Sequence, residues 1–155
     1  MGGGLHETRR GGHLSIHADF NMHPRLKLKR RLNLILFFNK DWREDYGGSL
    51  ELWSTDMSHC CVKVSPDIVT AVIFNTDANS FHGHPDPLNC PADRTRRNLA
   101  LYYYTADFKV DYDQLSRTTD FRPRPNSDDH VDGTTKLKNF IKDICPPIIY
   151  RLIKL

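Results

Sequence analysis

A chain of 155 residues with a formal net charge of +3 and a charged fraction of 26 % has the composition of an ordinary soluble domain, with room for a single hydrophobic core. Its four cysteines include an adjacent pair, Cys60 and Cys61, with Cys90 and Cys145 far away, a spacing that excludes a zinc finger and a secreted disulfide framework. No charged-then-apolar leader opens the chain and no run of about 18 apolar residues occurs, so neither secretion nor a membrane span is signalled and a cytoplasmic protein is expected.

In chain order, the first two-thirds reads as short strands separated by turn signals, the pattern of an all-β sandwich or barrel. After Gly11-Gly12, the alternation Leu14-Ser15-Ile16-His17 predicts a strand. Leu32 to Phe38 is an apolar run of strand length that stops at Asn39-Lys40-Asp41. Gly47-Gly48 introduces a strand from Ser49 to Trp53, Val62 and Val64 alternate before Pro66, and Val69 to Phe74 is rich in β-branched residues. The last clear strand is Asn98 to Tyr104, where Leu99, Leu101 and Tyr103 share one face and Arg96, Asn98, Ala100 and Tyr102 the other.

Beyond residue 112 the composition turns to Pro, Arg, Ser and Asp, which predicts a polar linker over 113–133. Leu137, Phe140, Ile141 and Ile144 then recur at helical spacing behind Thr134 and Thr135, and Pro146-Pro147 allows a second short helix, so 134–155 is expected to be a C-terminal helical segment. The β domain that precedes both is expected over 1–112.

The chemistry-bearing pattern is His-x-Asp, since residues two apart on a strand point the same way and can share one ion. It occurs three times: His17-Ala18-Asp19, His84-Pro85-Asp86 and His130-Val131-Asp132. The third lies in the predicted linker, and the second is broken by Pro85 in a Gly/Pro/Asn-rich stretch expected to be a loop rather than a central strand. Only His17 and Asp19 end a predicted strand. A second histidine from a distant strand would complete two imidazoles and one carboxylate on one face of an octahedron, leaving open positions on a metal. His82 and His84 are both of the right parity for that part.

Taken together, Gly11-Gly12-His13-Leu14-Ser15-Ile16-His17-Ala18-Asp19, the run Arg31 to Trp42, Gly47-Gly48-Ser49-Leu50-Glu51-Leu52-Trp53, Phe81-His82-Gly83-His84-Pro85 and Arg96 to Tyr104 resemble the prolyl 4-hydroxylase-like branch of the Fe(II)/2-oxoglutarate oxygenases over roughly residues 5–105. The resemblance implies a double-stranded β-helix, a jelly-roll or cupin-like barrel, followed here by the helical tail. It implies that His17, Asp19 and His82 hold Fe(II), that Arg96 anchors the far carboxylate of 2-oxoglutarate through its planar fork, and that Tyr102 lines the same pocket. The cofactors are then Fe(II), 2-oxoglutarate and O2, with ascorbate as a further candidate, and the substrate is a prolyl residue of a peptide or a small molecule. His84 is read as a loop residue or as a group near the metal, and Arg97 as a surface residue.

The chain departs from that pattern in two ways. Several relatives carry a tyrosine hydroxyl near the cosubstrate carboxylate on the strand occupied here by Leu32 to Phe38, and Phe37 has none. Supporting helices and strands normally precede the barrel, whereas Met1-Gly2-Gly3-Gly4 leads within a few residues to the first predicted core strand, as in a truncated or minimal version with an uncovered edge. Two other readings stand beside the oxygenase: a non-catalytic jelly-roll interaction module, and a basic nucleic-acid-binding β-barrel suggested by Arg25-Leu26-Lys27-Leu28-Lys29-Arg30-Arg31.

Overall fold

The computed structural model describes residues 3–23, 25–106 and 118–129. Among them are nine strands: β1 (Gly3–Thr8), β2 (Leu14–Ala18), β3 (Lys29–Phe37), β4 (Leu50–Trp53), β5 (Cys60–Val64), β6 (Ala71–Asn75), β7 (His82–His84), β8 (Arg96–Thr105) and β9 (Asp120–Phe121). A single turn of 3-10 helix at Glu44–Tyr46 is the only helical element of the described residues, and none of them forms a helix long and apolar enough to cross a membrane. The predicted C-terminal helices lie outside the described residues.

The strands build two antiparallel sheets, one in the order β1-β8-β3-β6 and the other in the order β5-β4-β7-β2-β9. Their inner faces meet, with Phe74 of β6 packed 4.6 Å from the ring of His82 on β7. This is the all-β double-stranded β-helix that the turn spacing and the resemblance imply. Cross-strand register fixes what points inward: Asn33 lies opposite Tyr102, Ile35 opposite Ala100 and Phe37 opposite Asn98. Leu34, Leu36, Leu99 and Leu101 share the other face of that sheet, as alternation requires.

That outer face is itself apolar. Leu5, Leu99, Leu36 and Ala71 form one row across the four strands and Gly3, Leu101, Leu34 and Ile73 the next. Leu5 and Ile73 remain 78 % and 65 % exposed. The outer face of the five-stranded sheet is better filled, by a cluster of Ile16, Ala18 and Phe81 with Trp53 and Met57 against it.

Three stretches differ from the sequence expectation, the first being residues 3–8, where no strand was predicted and β1 pairs with β8 at the edge of its sheet. The Gly/Pro/Asn-rich stretch read as a loop supplies β7, a three-residue strand at the centre of its sheet between β4 and β2, ending just before Pro85. Its shortness is what lets a proline follow it, because Pro85 falls beyond the last ladder residue. The stretch read as linker contributes β9, whose Phe121 pairs with His17, and just past it the Arg122 N–H donates to the Ile16 carbonyl at 2.8 Å. Phe121 is the one aromatic in a polar run, and it is the residue that packs inward, on the ring of His17. β9 thereby covers the edge of β2 that the sequence left open.

The turn before β4 shapes the interior. Gly48 has φ of +77°, and a Cβ there would come within 2.5 Å of Leu88 and 3.0 Å of the Arg96 side chain. Gly48→Ala should therefore cost at least about 1 kcal/mol through strain and crowding. Urea unfolding checks this, and a stability equal to wild type would show that the turn relaxes freely.

Candidate metal centre

His17 comes from β2, Asp19 from the residue just past it, and His82 from the neighbouring β7, directly opposite His17 in the ladder. One ligand atom from each can be chosen so that all lie within 4.8 Å of one another, the only such group of three found among the described residues. The imidazole Nε2 atoms of His17 and His82 stand 3.8 and 3.5 Å from the Asp19 carboxylate, and the two rings are 4.5 Å apart. Each ring is held by its far nitrogen: Nδ1 of His17 meets the Ser15 carbonyl at 2.8 Å and Nδ1 of His82 meets the Ser80 carbonyl at 2.9 Å. A protonated Nδ1 bonded to a carbonyl leaves Nε2 as a lone-pair donor, the orientation seen in metal-ligating histidines. The donor set and its tie-backs fit a divalent iron with open coordination positions.

The electrostatics suit that task. Burial, then the neighbouring His82, pushes His17 down to about 4, so its imidazole is neutral at ordinary pH. For Asp19, burial favours the neutral acid, but the approach of His82, the charge of Arg30 and the Asn33 amide together outweigh it and hold the carboxyl well below the usual range. Both groups are therefore deprotonated before any metal arrives, as ligation requires.

Sequence reasoning missed the residues that hold Asp19. Arg30 is fully buried, donates to Asp19 Oδ2 at 2.9 Å, and stacks its guanidinium 3.5 Å over the ring of Tyr102. Asn33 donates to the same oxygen at 2.8 Å while its own carbonyl oxygen accepts from Arg30. Strict alternation puts Arg30 on the outer face with Leu32 and Leu34. A register shift between Arg30 and Leu32 turns it inward, leaving Arg31 as the exposed extra residue. Arg30 is thereby removed from the basic stretch on which the nucleic-acid reading drew.

The cosubstrate residues inferred from the resemblance also sit on the inner face. Arg96 is 4 % exposed, donates from Nε to the Gly48 carbonyl at 2.7 Å and from Nη1 to Asn98 at 3.0 Å, and lies 5.0 Å from the Phe37 ring. Burial lowers it to about 10, which leaves it a cation at neutral pH. Tyr102 is inward but is engaged by Arg30. Arg97 is exposed and pairs with Glu7, and Arg94 donates to the Lys40 carbonyl. Of the competing His-x-Asp pairs, His84 and Asp86 part company: His84 is buried inside the barrel, while Asp86 is exposed and pairs with Arg124. His130 and Asp132 lie outside the described residues.

The fold and this donor set define a jelly-roll barrel built around a two-histidine, one-carboxylate centre. The family model of the 2OG-Fe(II) oxygenase superfamily matches residues 3–104, and the chain belongs to that superfamily. Among solved structures it is similar to a prolyl-4-hydroxylase from Pseudomonas putida, with 18 % identity over 66 % of this chain and 52 % of that one and a TM-score of 0.47. It shares its fold with a prolyl hydroxylase from Trichoplax adhaerens, solved with a hypoxia inducible factor oxygen degradation domain peptide fragment, at 21 % identity over 64 % of this chain and 41 % of that one and a TM-score of 0.51. It shares it equally with a prolyl 4-hydroxylase from Phytophthora capsici, at 21 % identity over 96 % and 40 % and a TM-score of 0.52. The chain thus spans between 40 and 52 % of the length of these structures. No match was found among curated proteins.

Two outcomes follow from the buried charges. In the metal-free protein, His17 takes up a proton between pH 6.5 and about 4 only when unfolded, so stability should fall as the pH drops through that window, by roughly 3 kcal/mol at most. Urea midpoints measured from pH 7 to pH 4 test this, and a rise on acidification would contradict it. Arg30→Met should leave Asp19 buried without its cation, lowering stability by about 3 kcal/mol and metal affinity by about 10- to 100-fold. Arg31→Met, at the exposed neighbour, should change neither in the same titrations.

Proposed function

We propose that this chain is the catalytic barrel of an Fe(II)- and 2-oxoglutarate-dependent dioxygenase that hydroxylates a prolyl residue or a small molecule, with decarboxylation of 2-oxoglutarate to succinate coupled to that step. The observation that carries the reading is the convergence of His17, Asp19 and His82, each imidazole presenting Nε2 and Asp19 held ionised, in the same interior as the buried cation Arg96. His17, Asp19 and His82 would hold the iron, and Arg96 would hold the far carboxylate of the cosubstrate. When bound, the iron supplies oxygen activation at positions that the three protein ligands leave open.

The chain's own contribution is positioning. Arg30 and Asn33 fix the Asp19 carboxylate, the Ser15 and Ser80 carbonyls fix the two rings, and Phe74 and Phe121 pack against His82 and His17 and limit water beside them. None of these side chains has to exchange a proton with substrate. A peptide as substrate is supported by the Trichoplax relative, which was solved with a peptide bound.

Anaerobic titration of the full chain with Fe(II) and then 2-oxoglutarate should produce the weak visible charge-transfer band of a metal-bound keto acid. His17→Ala should abolish it; this variant is preferable to Asp19→Ala, which would strand the Arg30 charge. Arg96→Ala should retain the metal but bind 2-oxoglutarate about 10- to 100-fold more weakly, the loss expected for a charge-assisted pair. Folded wild-type protein that binds iron but gives no band with 2-oxoglutarate would falsify the oxygenase reading.

A further inference from the structure

Apart from Arg30, the basic stretch 25–31 has no part in the site described so far, and the hairpin that joins β2 to β3 decides where it lies. Met22 bridges Lys29, the His23 N–H donates to the Leu28 carbonyl at 2.9 Å, and the Arg30 N–H donates to the Asn21 carbonyl at 2.8 Å. The tip is fastened as well: the Lys27 N–H donates to the His23 carbonyl at 3.0 Å, and Nδ1 of His23 accepts from the Arg25 and Leu26 N–H groups. One arm of the hairpin starts at the ligand Asp19, and the other returns through Arg30, which grips it. Arg25, Lys27, Lys29 and Arg31 are thereby carried at the end of the barrel that holds the metal ligands, where β2 stops and β3 and β7 begin.

No Asp or Glu occurs between Phe20 and Lys40. Among the described residues Arg30 is the only cation of the stretch that pairs with a carboxylate, and Arg25, Lys27 and Arg31 are exposed. The turns β4–β5 and β6–β7 bring Asp56 and Asp77 to the same end, too few to balance the hairpin, and Asp56 is held by Ser54. Lys27 also has φ of +52°, a left-handed conformation that Gly or Asn would adopt with less strain. A surface without a partner mixes its signs, whereas a field of one sign beside a cleft gathers the opposite charge. The residues between the cations, Leu26 and Leu28, are aliphatic, and Leu26 is 61 % exposed. Single-stranded nucleic acid is bound where aromatic rings interleave with the charge and stack on bases, and 25–31 contains no aromatic residue. Charge with an aliphatic side chain between suits a peptide that carries both acids and apolar groups.

Resting on the oxygenase reading, we propose that the β2–β3 hairpin is the docking rim for the substrate and that this substrate is an acidic peptide. Its Asp and Glu side chains meet Arg25, Lys27, Lys29 and Arg31 while the target residue enters toward His17, Asp19 and His82. The opposite end of the barrel is closed by the turn before β4, where a Cβ on Gly48 would come within 2.5 Å of Leu88 and Arg96 donates to the Gly48 carbonyl. The rim charges touch no reacting atom. They raise the encounter rate and select among peptides.

The test measures fluorescence anisotropy of two pools of short proline-containing peptides on the full chain, one with Asp and Glu around the proline and the other with Asn and Gln. The acidic pool should bind on the order of tenfold more tightly at low ionic strength, and the preference should vanish toward 1 M salt, where the Debye length is about 3 Å. Lys27→Gln with Lys29→Gln should remove most of the preference. Arg9→Gln with Arg10→Gln deletes the same charge beyond Thr8, which pairs with Arg96 at the opposite end, and should retain it. Should the first double variant not fold, Lys27→Gln alone is read the same way. Equal binding of the two pools overturns the inference, and so does an equal effect of the two double variants, since net charge alone would then be acting. Tighter binding of a single-stranded oligonucleotide than of the acidic pool, lost in the Lys27 and Lys29 variant, overturns it in favour of nucleic acid. An acidic preference in a wild type that gives no chelate band with Fe(II) and 2-oxoglutarate is a different failure, that of the oxygenase reading and not of the docking rim.

Discussion

The arrangement depends on keeping one carboxylate ionised inside a barrel that excludes most water. An isolated carboxylate in such a place would take up a proton, because the desolvation cost of its charge is several kcal/mol even after relaxation. Asp19 escapes this because Arg30, with no exposed surface, places a full positive charge 2.9 Å from Oδ2, and Asn33 adds a second donor to the same oxygen. Arg30 is in turn confined by the face of Tyr102, by Phe20 4.9 Å away and by the Asn33 carbonyl oxygen. The ligand is therefore oriented through its cation, and the cation through the pleat of β3 and β8.

The two sheets divide the remaining work. The five-stranded sheet supplies both imidazoles from adjacent strands, so their separation is set by ladder geometry and their tilt by carbonyls two residues upstream on their own chain segments. The four-stranded sheet supplies everything that positions charge: Arg30 and Asn33 for the metal ligand, and Arg96 and Asn98 at the other end. Its outer face carries Leu5, Leu34, Leu36, Ile73, Leu99 and Leu101 and is as apolar as a buried one. Because the outer face is apolar and Ile35 and Phe37 fill the inner one between the polar groups, Leu32 to Phe38 reads as a near-continuous hydrophobic run and does not alternate.

Most of the strands and all three converging ligands were legible in the sequence, because alternation and turn residues are local signals that burial reinforces. What escaped was non-local or broke the period. Arg30 was hidden by a one-residue register shift that reverses the face of every residue before it. β7 was hidden by its length, since three residues before a proline carry no alternation to read. β9 was hidden by composition, since its pairing with β2 depends on backbone groups and a single inward Phe121, and only the partner's open edge could have announced it. The inward position of Arg96, as against Arg97, was legible, being a matter of parity: Arg97 ends on the outer face with Glu7.

These placements give the interior an electrostatic direction. At one end stand a carboxylate and two imidazoles, that of His17 kept neutral by burial, and the charge of the carboxylate is balanced by Arg30. At the other, Arg96 stays cationic at neutral pH with only a carbonyl and an amide oxygen for company among the described residues. A ligand that chelates metal with one end and carries an anion on the other is the complement of that gradient, whereas a monocarboxylate would leave the buried guanidinium without a counter-charge. On the proposed function, selectivity for a 2-oxo diacid would arise from the cost of an unpaired buried cation, a penalty on the wrong ligand as much as an attraction for the right one.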